Sequence, residues 1–248
     1  MKLSIVNYTN TLPFRWAIHS SELIKKIDLE EDIPSICAQK LKHHQVDVAL
    51  VPVALLCELS SYHIITDFCI GALEKVDSVK LYAQKPINEL SNILLDYQSK
   101  SSVTLIKILC KEFWKINPNF IPASVGFEEQ ISYSTGAVII GDRTFGLSNK
   151  YKFEYDLATA WFELTQLPFV FAVWVANVKP SDAFIDEFNS VLKYGISNIE
   201  LAVDNSKVNY DTAFVKDYLT KSISYNLDAE KKKGLNLFLN KIKELNLA

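Results

Sequence analysis

Apolar residues in this chain come in short runs broken by polar turn formers, and that rhythm predicts alternating strands and helices. Residues 3–6 read as a short strand whose end delivers the turn-rich run Asn7-Tyr8-Thr9-Asn10-Thr11-Leu12-Pro13. Pro34 opens a short helix carrying Ile36, Ala38 and Leu41, because proline suits the first helical turn, where its missing N–H costs nothing. Residues 46–51 form a strand ended by Pro52, residues 53–59 have the apolar content of a helix, and residues 62–65 and 79–83 are β-rich. Polar turn residues at 86–91 mark a crossing into a second lobe. There, residues 93–95 form a strand feeding Asp96-Tyr97-Gln98-Ser99-Lys100-Ser101-Ser102, which opens a helix over residues 103–113. Val138-Ile139-Ile140 is wholly apolar, as buried parallel strands are, and ends at Gly141-Asp142. A helix over 155–164 carries Trp161, residues 169–178 form a β-rich run that returns the chain to the first lobe, and helical periodicity marks 184–192, 211–218 and 229–245.

This alternation predicts an α/β fold with parallel sheets, whose ligand sites lie at the carboxyl ends of strands. Three loops fall there, at residues 7–13, 96–102 and 141–143. The predicted division places residues 1–88 and 176–248 in lobe one and residues 89–175 in lobe two. The length of 248 residues suits two connected lobes, and 49% hydrophobic with 22% charged residues is the composition of a folded chain with a sizeable core. A net charge of −3 gives no overall positive field, which argues against nucleic acid and acidic lipid as partners and leaves any anion to be held by local donors.

Cys37, Cys57, Cys69 and Cys110 lack the spacing of a zinc or redox motif and read as reduced thiols. The start of the chain does not read as a secretory signal, and the longest apolar stretches carry Pro or polar interruptions, so the expectation is a cytoplasmic protein with no membrane span. His19, His43, His44 and His63 are scattered outside the three loops. No P-loop, dinucleotide fingerprint, nucleophile elbow or zinc-protease helix is present.

What remains is the serine loop. Ser99, Ser101 and Ser102 precede an apolar helix, so their hydroxyls and the free N–H groups of its first turn suit a carboxylate or phosphate; the alternative is a helix cap with spare serines. Asp96 reads as a cap or buttress of that turn, since its charge opposes an anion. Arg15 and Arg143 are the only arginines, and both lie within or close to candidate loops; each either grips a carboxylate bidentately or forms a surface pair. Asn10 is either a turn residue bonded to its own backbone or a substrate contact.

Six blocks extend this reading. The run Asn7-Tyr8-Thr9-Asn10-Thr11-Leu12-Pro13-Phe14 resembles the Y-L-N-T-x-P opening of the chorismate dehydratases of menaquinone biosynthesis, with Thr9 where leucine is usual. Leu50-Val51-Pro52-Val53, Val76-Asp77-Ser78-Val79, the block from Leu95 to Ser102, Ile140-Gly141-Asp142 and the block from Leu167 to Trp174 are similar to that family's blocks in order and spacing. Gln166 and Ser101 depart from it, standing where glycine and threonine are frequent. Beyond Lys179 the resemblance adds little.

The resemblance implies a periplasmic-binding-protein-like type II fold, two α/β lobes joined by a hinge with a ligand cleft between them, without secretion. It implies elimination of water from chorismate to give 3-[(1-carboxyvinyl)oxy]benzoate, the first step of the futalosine route, with no cofactor and no metal. Ser78, Ser99, Ser101 and Ser102 are then expected to hold the two substrate carboxylates with Thr11, Gly141 and Arg143, while Asn10 orients the reacting ring. The base is either Asp142 or the substrate's own enolpyruvyl carboxylate. Two rivals share the fold: a non-catalytic cytoplasmic anion-binding protein, and the later pathway enzyme acting on a dehypoxanthine futalosine derivative. Nothing in the chain predicts an oligomeric state.

Overall fold

The structure, a computed structural model, describes residues 1–247. Its strands are β1 (Lys2–Val6), β2 (Asp28–Asp32), β3 (Val48–Pro52), β4 (His63–Ala72), β5 (Val79–Ala83), β6 (Asn92–Leu95), β7 (Asn119–Pro122), β8 (Thr135–Ile140), β9 (Phe153–Asp156), β10 (Phe169–Ala176) and β11 (Ser224–Asn226). The helices are α1 (Leu12–His19), α2 (Pro34–Lys42), α3 (Ser101–Glu112), α4 (Leu157–Thr165), α5 (Asp182–Ser197), α6 (Ile199–Asp204), α7 (Thr212–Asp217) and α8 (Ala229–Glu244).

The strands form two sheets. The six-stranded sheet runs β11-β4-β10-β3-β1-β2 and the five-stranded sheet runs β7-β6-β8-β5-β9. Both are mixed: β1 is parallel to β2 and β3, but β10 is antiparallel to β3 and β4, and β5 is antiparallel to β8 and β9. The all-parallel expectation fails because an apolar run such as Val79–Ala83 carries no information about strand direction, which the connection sets.

Sheet membership also differs from the predicted division. β5 belongs to the five-stranded sheet and β10 to the six-stranded one, so the chain crosses at residues 73–78 and 157–168 rather than at 88/89 and 175/176. The polar segment at 86–91 is a short 3-10 turn inside the second lobe.

One side chain joins both crossings. Asp156 accepts hydrogen bonds from the Ala158 and Thr159 N–H groups at 3.0 and 3.2 Å, capping α4, and from the Asp77 and Val76 N–H groups at 2.7 and 3.2 Å on the first crossing.

The core is continuous across both sheets. β10 is buried along its whole length, and its Phe169 packs edge-on against Trp161 of α4 and Phe238 of α8 at 5.4 and 4.9 Å between ring centroids. The polar strand β2 closes the other edge of its sheet. Its acidic side chains are neutralised from neighbouring helices, by Arg15 on Glu31 at 2.6 Å and Lys40 on Asp32 at 2.6 Å. Sequence patterning misses β2 because Asp28–Asp32 has no apolar alternation.

Candidate functional site

The ends of β1, β3, β6 and β8 converge on a hollow between the two sheets, lined from one side by Tyr8, Asn10, Pro52, Phe171 and Ala172 and from the other by Ser78, Ser99, Ser101, Ser102 and Gly141. Its cavity volume is about 60 Å³, room for a few water molecules. A larger molecule does not fit the hollow at this volume.

Tyr8 follows β1 and packs its ring on Gly141, where the turn after β8 adopts a positive φ of 65°. A Cβ at position 141 would lie 2.6 Å from the Tyr8 ring, so glycine is needed both for the turn and for the approach. The Tyr8 hydroxyl donates to the Gln98 side-chain carbonyl across the hollow. Burial pushes its phenol well above the ordinary value, against the pull of Arg143.

The next residue fastens the lobes together. Thr9 gives its backbone N–H to both carboxylate oxygens of Asp142 at 3.0 and 3.2 Å and its hydroxyl to Oδ2 at 2.9 Å. Burial raises the Asp142 pKa, and these Thr9 hydrogen bonds oppose the rise. The Asn10 backbone carbonyl accepts the Tyr225 hydroxyl hydrogen at 3.0 Å, while its side-chain Oδ1 is buried with no partner. An unpartnered buried carbonyl in a site is costly unless something else satisfies it. Thr11 turns inward, its hydroxyl donating to the Val6 carbonyl at 2.5 Å, and lies outside the lining.

On the facing side, Ser99 accepts the Ser102 N–H at 3.1 Å, which closes the first turn of α3. Ser101 donates to the Phe171 carbonyl at 3.0 Å and accepts the Ala54 N–H at 3.2 Å, so it ties α3 to the other sheet. The Ser78 carbonyl accepts the Gly141 N–H at 2.8 Å, and its hydroxyl accepts the Tyr218 hydroxyl hydrogen at 2.7 Å. Asp96 buttresses the serine turn from below, with Oδ1 on the Gln98 N–H at 2.9 Å and Oδ2 on the Ile140 N–H at 3.0 Å. Arg143 is engaged there too. It pairs with Asp96 and, at 3.0 Å, with Glu128, and it lies over the Tyr97 and Phe127 rings at 5.3 and 5.7 Å.

The structure therefore brings Asn10, Ser78, Ser99, Ser101, Ser102 and Gly141 to one hollow and leaves Thr11, Asp142 and Arg143 out of its lining. Arg15 is also elsewhere, on Glu31 and Asn7. Sequence reasoning missed Tyr8 and Gln98, although both stand inside the candidate loops. It missed Tyr218 for want of any signal, since that residue meets Ser78 from 140 positions away. Among the described residues no group of three or more His, Cys, Asp or Glu side chains is arranged to hold a metal, and no helix is long and apolar enough to cross a membrane. All four cysteines are free.

Two sheets with a closing hollow at their strand ends define a periplasmic-binding-protein-like fold, which suits small-molecule ligands. The protein AF1704 of Archaeoglobus fulgidus superposes with a TM-score of 0.77 at 14% identity, covering 100% of this chain and 98% of that one. The periplasmic aliphatic sulphonate binding protein SsuA of Escherichia coli superposes at 0.61 and 14% identity, covering 100% and 92%. Within that fold the chain belongs to the menaquinone biosynthesis family, whose sequence model matches residues 1–244. A protein of Thermus thermophilus named chorismate dehydratase is 26% identical over 258 aligned positions, covering 95% of this chain and 93% of that protein.

Proposed function

We propose that the chain is a chorismate dehydratase, a carbon–oxygen lyase that removes water from chorismate to leave 3-[(1-carboxyvinyl)oxy]benzoate. The observation that carries the reading is the hollow itself: hydroxyls and the first turn of α3 on one wall face the unpartnered Asn10 Oδ1 on the other. Serine hydroxyls and helix N–H groups suit the two carboxylates of chorismate, since the first-turn N–H groups carry partial positive charge. Asn10 Oδ1 accepts the hydrogen of the C4 hydroxyl and so sets the direction of the C–O bond that breaks.

The hydrogen on ring C3 is acidified through the ring double bond conjugated to the ring carboxylate. Its removal spreads negative charge into that carboxylate, and donors aimed there bind the resulting enolate more tightly than the ground state. The C4 hydroxyl then leaves, the ring becomes aromatic, and the proton and hydroxide depart as water. Among the described residues lining the hollow there is no Asp, Glu, His or Lys. Asp142 spends its carboxylate on Thr9. The base in this reading is therefore the enolpyruvyl carboxylate, carried next to C3 by the substrate's own ether.

Incubating the purified chain with chorismate tests the proposal. Absorbance and mass spectrometry should find an aromatic product lighter by one water. Tight chorismate binding with no product would favour a non-catalytic binding protein, and neither binding nor product would end both readings.

A further inference from the structure

Tyr218 lies in a region where the resemblance is silent, yet it reaches into the site. It follows α7 and starts a π-turn, Tyr218–Ser222, closed by a hydrogen bond from the Ile223 N–H to the Tyr218 carbonyl at 3.3 Å. Such widened turns gather at functional sites, where the extra residue re-aims a side chain. Here it buries the phenol between the lobes. The hydroxyl donates to Ser78 Oγ at 2.7 Å, and Ser78 stands on the five-stranded side, immediately before β5. Burial pushes the phenol far above the ordinary range.

These contacts fix directions. The Tyr218 hydroxyl has one hydrogen and donates it to Ser78 Oγ. Ser78 Oγ, already accepting, has its own hydrogen free for a third atom, and the hollow is what Ser78 lines. We propose that Tyr218 is a positioning residue of this site: it aligns the Ser78 hydroxyl as a donor toward the substrate, and does so only when the lobes are together. This rests on the dehydratase reading above. The ring itself is held independently of the hydroxyl, since Phe145 packs edge-on to it at 4.9 Å.

Steady-state kinetics on Tyr218→Phe, Ser78→Ala and the double variant decide the matter. Removing one oriented hydroxyl should lower kcat about 30-fold with KM changed less than about threefold, somewhat less than the roughly 100- to 1000-fold known for loss of a donor that touches the reacting atoms. Because Tyr218 acts through Ser78, the double variant should lose clearly less than the product of the two single losses. A purely structural hydroxyl would lower the melting temperature and leave kcat of the folded variant unchanged, which would overturn the proposal. So would strictly multiplicative losses, or Ser78→Ala at the wild-type rate, whatever Tyr218→Phe does. Wild-type protein that leaves chorismate unchanged overturns the underlying reading and this proposal with it, whereas an active wild type with an equally active Tyr218→Phe overturns this proposal alone.

Discussion

The hollow and the Arg143 cluster lie close together at the ends of the same strands, and each has chemistry that suits a carboxylate. They are built in opposite ways. Around Arg143 two carboxylates, Asp96 and Glu128, take the guanidinium and two aromatic rings cover it, which leaves only its buried Nε–H without a partner. Among the described residues lining the hollow there is no cation, and the polar groups are hydroxyls, helix N–H groups and the Asn10 amide, whose Oδ1 has no partner. A charge already shared between two carboxylates holds strand ends in place but has little left for a ligand. Neutral dipoles set in a buried wall can bind an anion and release its product without the desolvation cost of a free buried charge.

Three substitutions probe that contrast. Asn10→Ala should cost the most activity, lowering kcat at least about 100-fold while the melting temperature stays within about 3 °C, because the lost oxygen bonds nothing in the protein. Equal damage to rate and stability would make Asn10 a turn residue. Arg143→Met should do the reverse. It strands the fully buried Asp96 carboxylate and should destabilise the fold by about 3 kcal/mol, read from urea melts, with the KM for chorismate little changed. A stable variant with a greatly raised KM would put the arginine on the substrate.

Asp142→Asn should have the smallest effect, retaining turnover within about threefold and raising KM several-fold as the fastening to Thr9 weakens by about 1 kcal/mol. Total loss of turnover in a folded variant would identify Asp142 as the base. Its pH behaviour gives a second check. Burial raises the folded-state pKa above that of the unfolded chain, so the folded state holds the proton more tightly. This contribution to stability is present in acid and is lost as pH rises from the ordinary carboxylate range through the raised value. The stability of wild type relative to Asp142→Asn should therefore shrink over that window.

Much of this was legible in the sequence because it depends on local order. Proline and turn residues marked where β1 and β3 end, and the apolar run before Gly141 marked β8. Loops at those ends are where Asn10, Gly141 and the serines meet. Strand direction was not legible for β5 and β10, nor was the lobe of β5, because an apolar run states that it is buried and not which sheet buries it. Arg143 and Asp142 read as substrate groups for a related reason. Their partners, Asp96 and Thr9, lie 47 and 133 positions away, and only the folded chain shows those charges already engaged.

Asp156 imposes a last consequence. One carboxylate grips the main chain of both linking segments, so neither can twist without dragging the other. The halves of the molecule are thereby coupled like covers on a shared spine. Any hinge movement that opens the hollow must therefore turn both segments together about that spine.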